Sequence, residues 1–248
     1  MLEIVLTFLG SLVAGYLGAA VGLVLGTLRL PVLILVADSA AAGAGTNIAI
    51  SAAAAASGGI RHARAGRVDW RIVAWMAPPS VAGAVAGGLL GGELPERALV
   101  AAVAAVLAWQ GFDLLARPFR EHPAAEPRAT PAVVFGFAIG VIGGALGVIL
   151  GTLRMPALLR AVGLSAARAV GTNLVVGFLL GVAGFAAHAA RLEVEWDLLV
   201  AGLAGALPGA WLGARLTGRL SEETLRRAIG VALLLIAAAF AVEAALGT

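Results

Sequence analysis

The sequence predicts an all-α polytopic membrane protein built from two inverted structural repeats. Three observations carry this: repeated apolar stretches of membrane-crossing length, a motif that occurs twice, and an arginine distribution that becomes one-sided only if the halves face opposite ways. Hydrophobic residues make up 61% of the 248-residue chain, charged residues 12%, and mean hydropathy is +1.00. A soluble domain of this size needs a more polar surface. Runs of about 20 apolar residues each suffice to cross a bilayer core as a helix. The alternating pattern of a membrane β-barrel is missing.

Gly22–Pro31 reads GLVLGTLRLP and Gly147–Pro156 reads GVILGTLRMP, with seven of ten positions identical at an offset of 125. Further matches follow at an offset of 126: Gly45-Thr46-Asn47 with Gly171-Thr172-Asn173, Val68-Asp69-Trp70 with Val194-Glu195-Trp196, Gly83 and Gly87 with Gly209 and Gly213, and Leu94 and Leu99 with Leu220 and Leu225. The chain therefore divides into a first repeat (1–116), a linker (117–130) with three prolines and five charges, and a second repeat (131–248).

Each repeat is expected to hold about three full transmembrane helices and a broken or re-entrant hairpin, roughly eight hydrophobic helices in all. In the first repeat these are a helix at 2–25, a short piece at 28–37, a flexible link at 38–45, and helices at 46–60, 70–90 and 95–116. The second repeats the order at 131–150, 153–162, 172–188, 196–216 and 221–246. Ten helical residues span only about 15 Å, half a bilayer core. Broken backbone at that depth is tolerated where protein or a cavity surrounds it.

All 17 basic residues are arginine, and the pI is about 10.8. They cluster at helix ends, which orients a membrane protein and argues against nucleic acid as a partner. With four crossings per half, the two faces would carry eight and nine arginines, which is no bias. With an odd number, and with Arg29, Arg154, Arg160 and Arg168 of the interrupted regions left out, Arg61, Arg64, Arg67, Arg71, Arg117, Arg120, Arg128, Arg215, Arg219, Arg226 and Arg227 share one face, and only Arg97 and Arg191 lie on the other. Eleven against two predicts inverted halves, a cytoplasmic linker and both termini outside the cell membrane.

The absence of cysteine removes disulfides, thiolate metal sites and cysteine nucleophiles. No metalloprotease, hydrolase or P-loop motif appears, so no enzyme activity, cofactor or metal is expected. Any driving force would come from a gradient of protons, ions or substrate.

Arg29 and Arg154 are the leading candidates for function. An arginine inside a membrane segment is costly unless paired or hydrated, and its fork of donors suits a carboxylate or sulfur oxyanion. The competing reading is an interfacial arginine or one paired with an acid, Asp38 in the case of Arg29. Pro31 and Pro156 are read as first-turn prolines, so that each short helix presents its N-terminus to the Gly-Thr-Leu-Arg segment. Gly26 and Gly151 would let backbone approach a ligand, and Thr27 and Thr152 would add hydroxyls. Thr46, Asn47, Thr172 and Asn173 are read either as helix caps or as ligand donors. His62 is read as solvated and His188 as a candidate for proton coupling. Asp69 and Glu195 are read as helix-start anchors.

These motifs resemble the sulfite exporter TauE/SafE family, the toluene-sulfonate uptake permeases. The resemblance spans nearly the whole chain and rests on Gly22–Pro31 and Gly147–Pro156, the Gly-Thr-Asn that follows, Arg61–Trp70, and Gly83 to Gly87. It implies a secondary-active transporter of the inner membrane, working by alternating access about a midplane site. The substrate would be a small sulfur-containing or related anion (sulfite, sulfonate or carboxylate), with a coupling proton or ion. Family members carry a glycine run before the proline. Here Leu-Gly-Thr-Leu-Arg replaces it in both halves, which adds two charges and admits a sulfonate or carboxylate beside sulfite. A passive anion channel and a non-transport assembly protein remain the rival readings. Small-residue helix faces leave room for a homodimer without requiring one.

Overall fold

The computed structural model describes residues 1–21, 26–91, 93–116, 127–214 and 222–246. Of the arginines used in the orientation count, Arg117, Arg120, Arg215 and Arg219 lie outside these, as do Gly22 and most of the linker. All regular structure among the described residues is helical, with no strand among them. The helices are α1 (Leu2–Val21), α2 (Gly26–Val36), α3 (Ala40–Arg64), α4 (Trp70–Gly91), α5 (Glu96–Ala116), α6 (Ala129–Ala145), α7 (Gly151–Pro156), α8 (Ala166–Ala190), α9 (Trp196–Ala214) and α10 (Glu222–Leu246). A π-helical turn, Ala157–Val162, continues α7.

Trp70–Gly91, Arg97–Ala116 and Ala167–Ala190 are long and apolar enough to cross a membrane, and Leu2–Gly18, Gly26–Val36, Ala129–Ala145, Trp196–Leu212 and Leu233–Val242 are shorter apolar helices. Many large apolar side chains face outward, among them Trp109, Phe112, Phe135, Trp211 and Leu235. That surface suits lipid and not water. The molecule is an all-helical, multi-pass membrane protein.

Small residues let the helices approach closely. On α4 and α6, Ser80 lies against Gly140 and Ala84 against Gly144, so these helices run parallel. Phe8 lies against Gly205 and Leu12 against Gly209, so α1 and α9 are parallel too. A Cβ added at Gly144 would collide with the Ala84 carbonyl. The pairing of α3 with α8 differs: Gly45 meets His188, Ile48 meets Gly184, and Gly58 meets Leu174, which makes the two antiparallel. The short α2 folds back along α3, with Gly26 beside Ser51 and Leu33 beside Gly43.

Several local expectations are corrected. The link after α2 is only Ala37–Ser39, because Ser39 caps α3 by accepting a hydrogen bond from the Ala42 N–H (3.1 Å). Thr46 and Asn47 therefore lie inside α3, and Thr172 and Asn173 inside α8, where they are not capping residues. Pro31 is likewise in the body of α2, and Pro156 ends α7 where the helix widens to π geometry. The Gly-Thr-Leu-Arg segments form the first turn themselves. A wider turn accommodates a residue that has no N–H to donate.

Helix α6 ends five residues earlier than expected. Gly147 adopts φ +64°, and Val148 N–H reaches back to the Gly143 carbonyl (2.8 Å). That is the glycine-terminated helix stop, which a residue with Cβ enters at a cost of about 1–2 kcal/mol.

Gly144→Leu should therefore cost about 1–3 kcal/mol through overpacking at the α4–α6 contact. Gly59→Ala, whose Cβ would stand 3.5 Å from Val175, should leave stability within about 0.5 kcal/mol. The melting temperatures of the two purified variants check this.

Candidate functional site

Arg29 sits in the first turn of α2, and all but 3% of it is buried. Lacking water, its donors must find acceptors on α3. Nε donates to Asn47 Oδ1 (2.9 Å), and Nη2 donates to the Asn47 carbonyl (3.1 Å) and to Ser51 Oγ (2.8 Å). Asp38 is not its partner. Asp38 uses its backbone N–H on the Glu195 carboxylate (3.0 Å), and Arg29 is held by neutral groups instead of an acid. Gly26 supplies room, but for the Ser51 hydroxyl, with which a Cβ there would collide.

Arg154 occupies the matching place on α7 and is fully buried. Its Nη1 donates to Asn173 Oδ1 (3.0 Å) and to the Asn173 carbonyl (3.4 Å). Nε and Nη2 are buried with no hydrogen-bond partner among the described residues. The asparagine meets a different nitrogen in the two halves: Asn47 takes Nε and Nη2 of Arg29, whereas Asn173 takes Nη1 of Arg154. The guanidinium edge that Arg29 spends on Asn47 and Ser51 therefore has no partner on Arg154 among the described residues, and the position corresponding to Ser51 is Gly177, where a Cβ would stand 3.4 Å from Nη1. Two parallel N–H groups on one edge match two oxygens of a planar or tetrahedral oxyanion.

The hydroxyls of Thr27 and Thr152 are also buried without a partner among the described residues. Gly151 faces Asn173 Nδ2, which a Cβ would approach to 3.0 Å. The two arginine sites are joined through Asn47, whose Nδ2 donates to the Gly147 carbonyl (2.8 Å) ahead of α7. A single asparagine thus fixes Arg29 and the break that carries Arg154.

Thr46 and Thr172 serve the frame. Thr46 Oγ1 accepts from the Glu195 N–H (2.9 Å), and Thr172 Oγ1 accepts from the Asp69 N–H (3.0 Å). Each threonine pins the loop that opens a helix of the other half. Asp69 Oδ1 in turn accepts from Ile72 N–H (3.1 Å) at the start of α4, as an anchoring residue should. Arg168 lies 3.6 Å from Asp69 across the same junction. His62 is only partly solvated: the residue is half-buried, and its Nδ1 is buried without a partner among the described residues. His188 is fully buried and contacts Glu193 and Gly144.

Reading residue types alone missed Ser51, Gly177 and Gly147. The offset of 126 does pair Ser51 with Gly177, so the signal was present as a mismatch between repeats. Asn47→Ala removes the Arg29 Nε acceptor and the Gly147 donor together. It should cost about 3 kcal/mol or more, two bonds at about 1.5–3 for the charged one and about 1 for the neutral. Thr46→Ser, which retains the hydroxyl, should cost under about 1.5 kcal/mol. Denaturation of the two variants side by side checks the difference.

The description "Sulfite exporter TauE/SafE" matches residues 7–240 of the chain. The chain is 28% identical over 236 residues to a protein named probable membrane transporter protein YdhB of Bacillus subtilis (strain 168), covering 92% of this chain and 95% of that one. It is also 28% identical over 109 residues to probable membrane transporter protein YunE of the same organism, covering 44% and 40%. No solved structure matches at a significant level. The chain is a membrane transporter and belongs to the sulfite exporter TauE/SafE family.

Proposed function

We propose that the protein carries a small sulfur oxyanion, sulfonate or related carboxylate across the inner membrane, and that Arg154 binds its acidic group. The observation that carries this is the free Nε–Nη2 edge of a fully buried arginine. A buried cation with unmet donors is unfavourable unless an anion completes it. Thr152 and Thr27, with unpartnered buried hydroxyls, stand on the same helix turns as the two arginines and are proposed to contribute. Asn173 holds Arg154 in place. Arg29 has a second role: its outward edge is already satisfied, so it positions Asn47 and the Gly147 break.

Alternating access is proposed to follow from inversion of the two repeats. Supporting this, α3 and α8 occupy corresponding places in the halves and pass each other antiparallel. The cross-pairing of α1 with α9 and of α4 with α6 agrees with such an exchange. Both termini would then face outside and the linker the cytoplasm, as the arginine distribution predicts. Energy would come from a proton or ion gradient, with the midplane site exposed to each side in turn.

A thermal-shift series over sulfite, thiosulfate, methanesulfonate and small carboxylates tests the site. At about 100 times Kd a ligand adds about 2.7 kcal/mol, or roughly 5–10 °C for a chain this long. At least one of these anions should stabilise the wild type. Arg154→Ala should abolish that rise. Arg154→Lys, which keeps the charge and loses the Nε–Nη2 fork, should weaken it. Arg64→Ala, at the end of α3, should preserve it. Equal responses from all four proteins would remove Arg154 from the mechanism.

A further inference from the structure

The last turn of α8 holds a buried charged cluster that the anion site does not use. His188 is wholly buried, with Nε2 placed 2.9 Å from the Gly144 carbonyl and Nδ1 placed 2.8 Å from Glu193 Oε2. A carbonyl only accepts, so Nε2 must carry a proton. The contact between Nδ1 and Oε2 then requires a second proton. It resides either on the ring, as an imidazolium facing a carboxylate, or on the carboxyl, as an acid donating to a neutral ring. In both forms the pair holds one proton more than a neutral imidazole and a carboxylate.

We propose that His188 and Glu193 form a one-proton binding site whose occupancy sets the hold on the end of α6. The proposal deepens the transport reading above and rests on it for its purpose, which is coupling to a proton gradient. When the proton leaves, the ring keeps one N–H for two acceptors. Either the Gly144 carbonyl or the Glu193 carboxylate then loses its bond. Gly144 belongs to the turn closed by Gly147, whose carbonyl is gripped by Asn47, and α7 with Arg154 begins four residues later. Protonation is thereby tied to the break that carries the anion-binding arginine.

The surroundings fit a site that exchanges protons. Arg191 donates from Nε to Glu193 Oε1 (2.9 Å) and from Nη2 to Glu93 Oε1 (2.6 Å), and these bonds hold its guanidinium still further above its ordinary pKa. The Glu193 side chain is 14% exposed and that of Glu93 68%, which links the buried ring to water. From α3, Gly45 packs on the His188 Cβ, and from α4, Gly88 faces the ring edge. Ahead of α9, the Glu195 carboxylate accepts from Asp38 N–H. The corresponding residue on α3 is His62, and the position matching Glu193 is Arg67. There the ring Nδ1 has no acceptor, and a cation replaces the acid. One end of the helix pair is built to hold a proton and the other is not.

The chain has three histidines, so ring-15N spectra of the full-length protein are sparse, and a His62→Gln/His122→Gln background assigns His188. As pH rises the pair should lose one proton in a single step, with Nε2 protonated below it. Glu193→Gln should eliminate the step. Amide exchange across 144–154, corrected for the intrinsic rate, should quicken by about tenfold above the midpoint in wild type, and not in Glu193→Gln. An unprotonated Nε2 at the acid end, an unchanging ring over the whole range, or exchange indifferent to the step would each overturn the proposal. The wild-type titration stands even if Glu193→Gln fails to fold. None of these readings uses an anion, so failure here is distinct from failure of the Arg154 site.

Discussion

A guanidinium sealed inside a membrane protein must keep its donors bonded, and that requirement organises this structure. Arg29 and Arg154 are both buried, on helices too short to cross a bilayer. Each is met by the asparagine of a Gly-Thr-Asn segment on a long neighbouring helix. That meeting demands close approach. Gly26 clears the space for Ser51, Gly43 takes the α2 backbone at Leu33, and the alanines of α3 present almost no bulk. The broken helices, the small-residue α3 and the matched asparagines are consequences of one electrostatic condition.

The same condition shows where the two halves have diverged. Asn47 and Ser51 complete the Nε–Nη2 edge of Arg29, while Asn173 meets only Nη1 of Arg154. Gly66 closes α3 at φ +67°, while Leu192 takes the matching place on α8 at φ +61°, a left-handed position that favours glycine. Arg67 faces His62's end of the pair, while Glu193 bonds His188. These exchanges are small in sequence and large in chemistry. Among the described residues, they turn a near-symmetric frame into one with an unpartnered guanidinium edge on Arg154 and a buried acid–histidine pair at His188.

Much of the frame was legible from the chain alone. Apolar length and the doubled Gly-Thr-Leu-Arg motif indicated a helical membrane protein with two broken segments, and Val-Asp-Trp and Val-Glu-Trp marked the starts of α4 and α9. The errors have physical causes. Proline rules placed Pro31 and Pro156 in the first turns of helices starting near Leu28 and Leu153, yet the helices begin at Gly26 and Gly151 and the prolines lie beyond the first turn. Asp38 was a reasonable partner for Arg29 by proximity in sequence, but the chain carries it to the Glu195 carboxylate instead. Which arginine is satisfied, and what His188 touches, depend on Ser51, Gly144 and Glu193. These contacts are set by how helices pack, and Gly144 lies 44 residues from His188. Residue types name the candidates for such contacts without choosing among them.

The most direct test of the central claim is to locate a bound anion by the anomalous scattering of selenium, using selenite or a selenium-bearing sulfonate analogue with the full-length protein. The account predicts selenium beside Arg154, with its oxygens in hydrogen-bond reach of Nε and Nη2 and none replacing Ser51 on Arg29. Selenium bound elsewhere, with that edge of Arg154 still facing only protein, would contradict it.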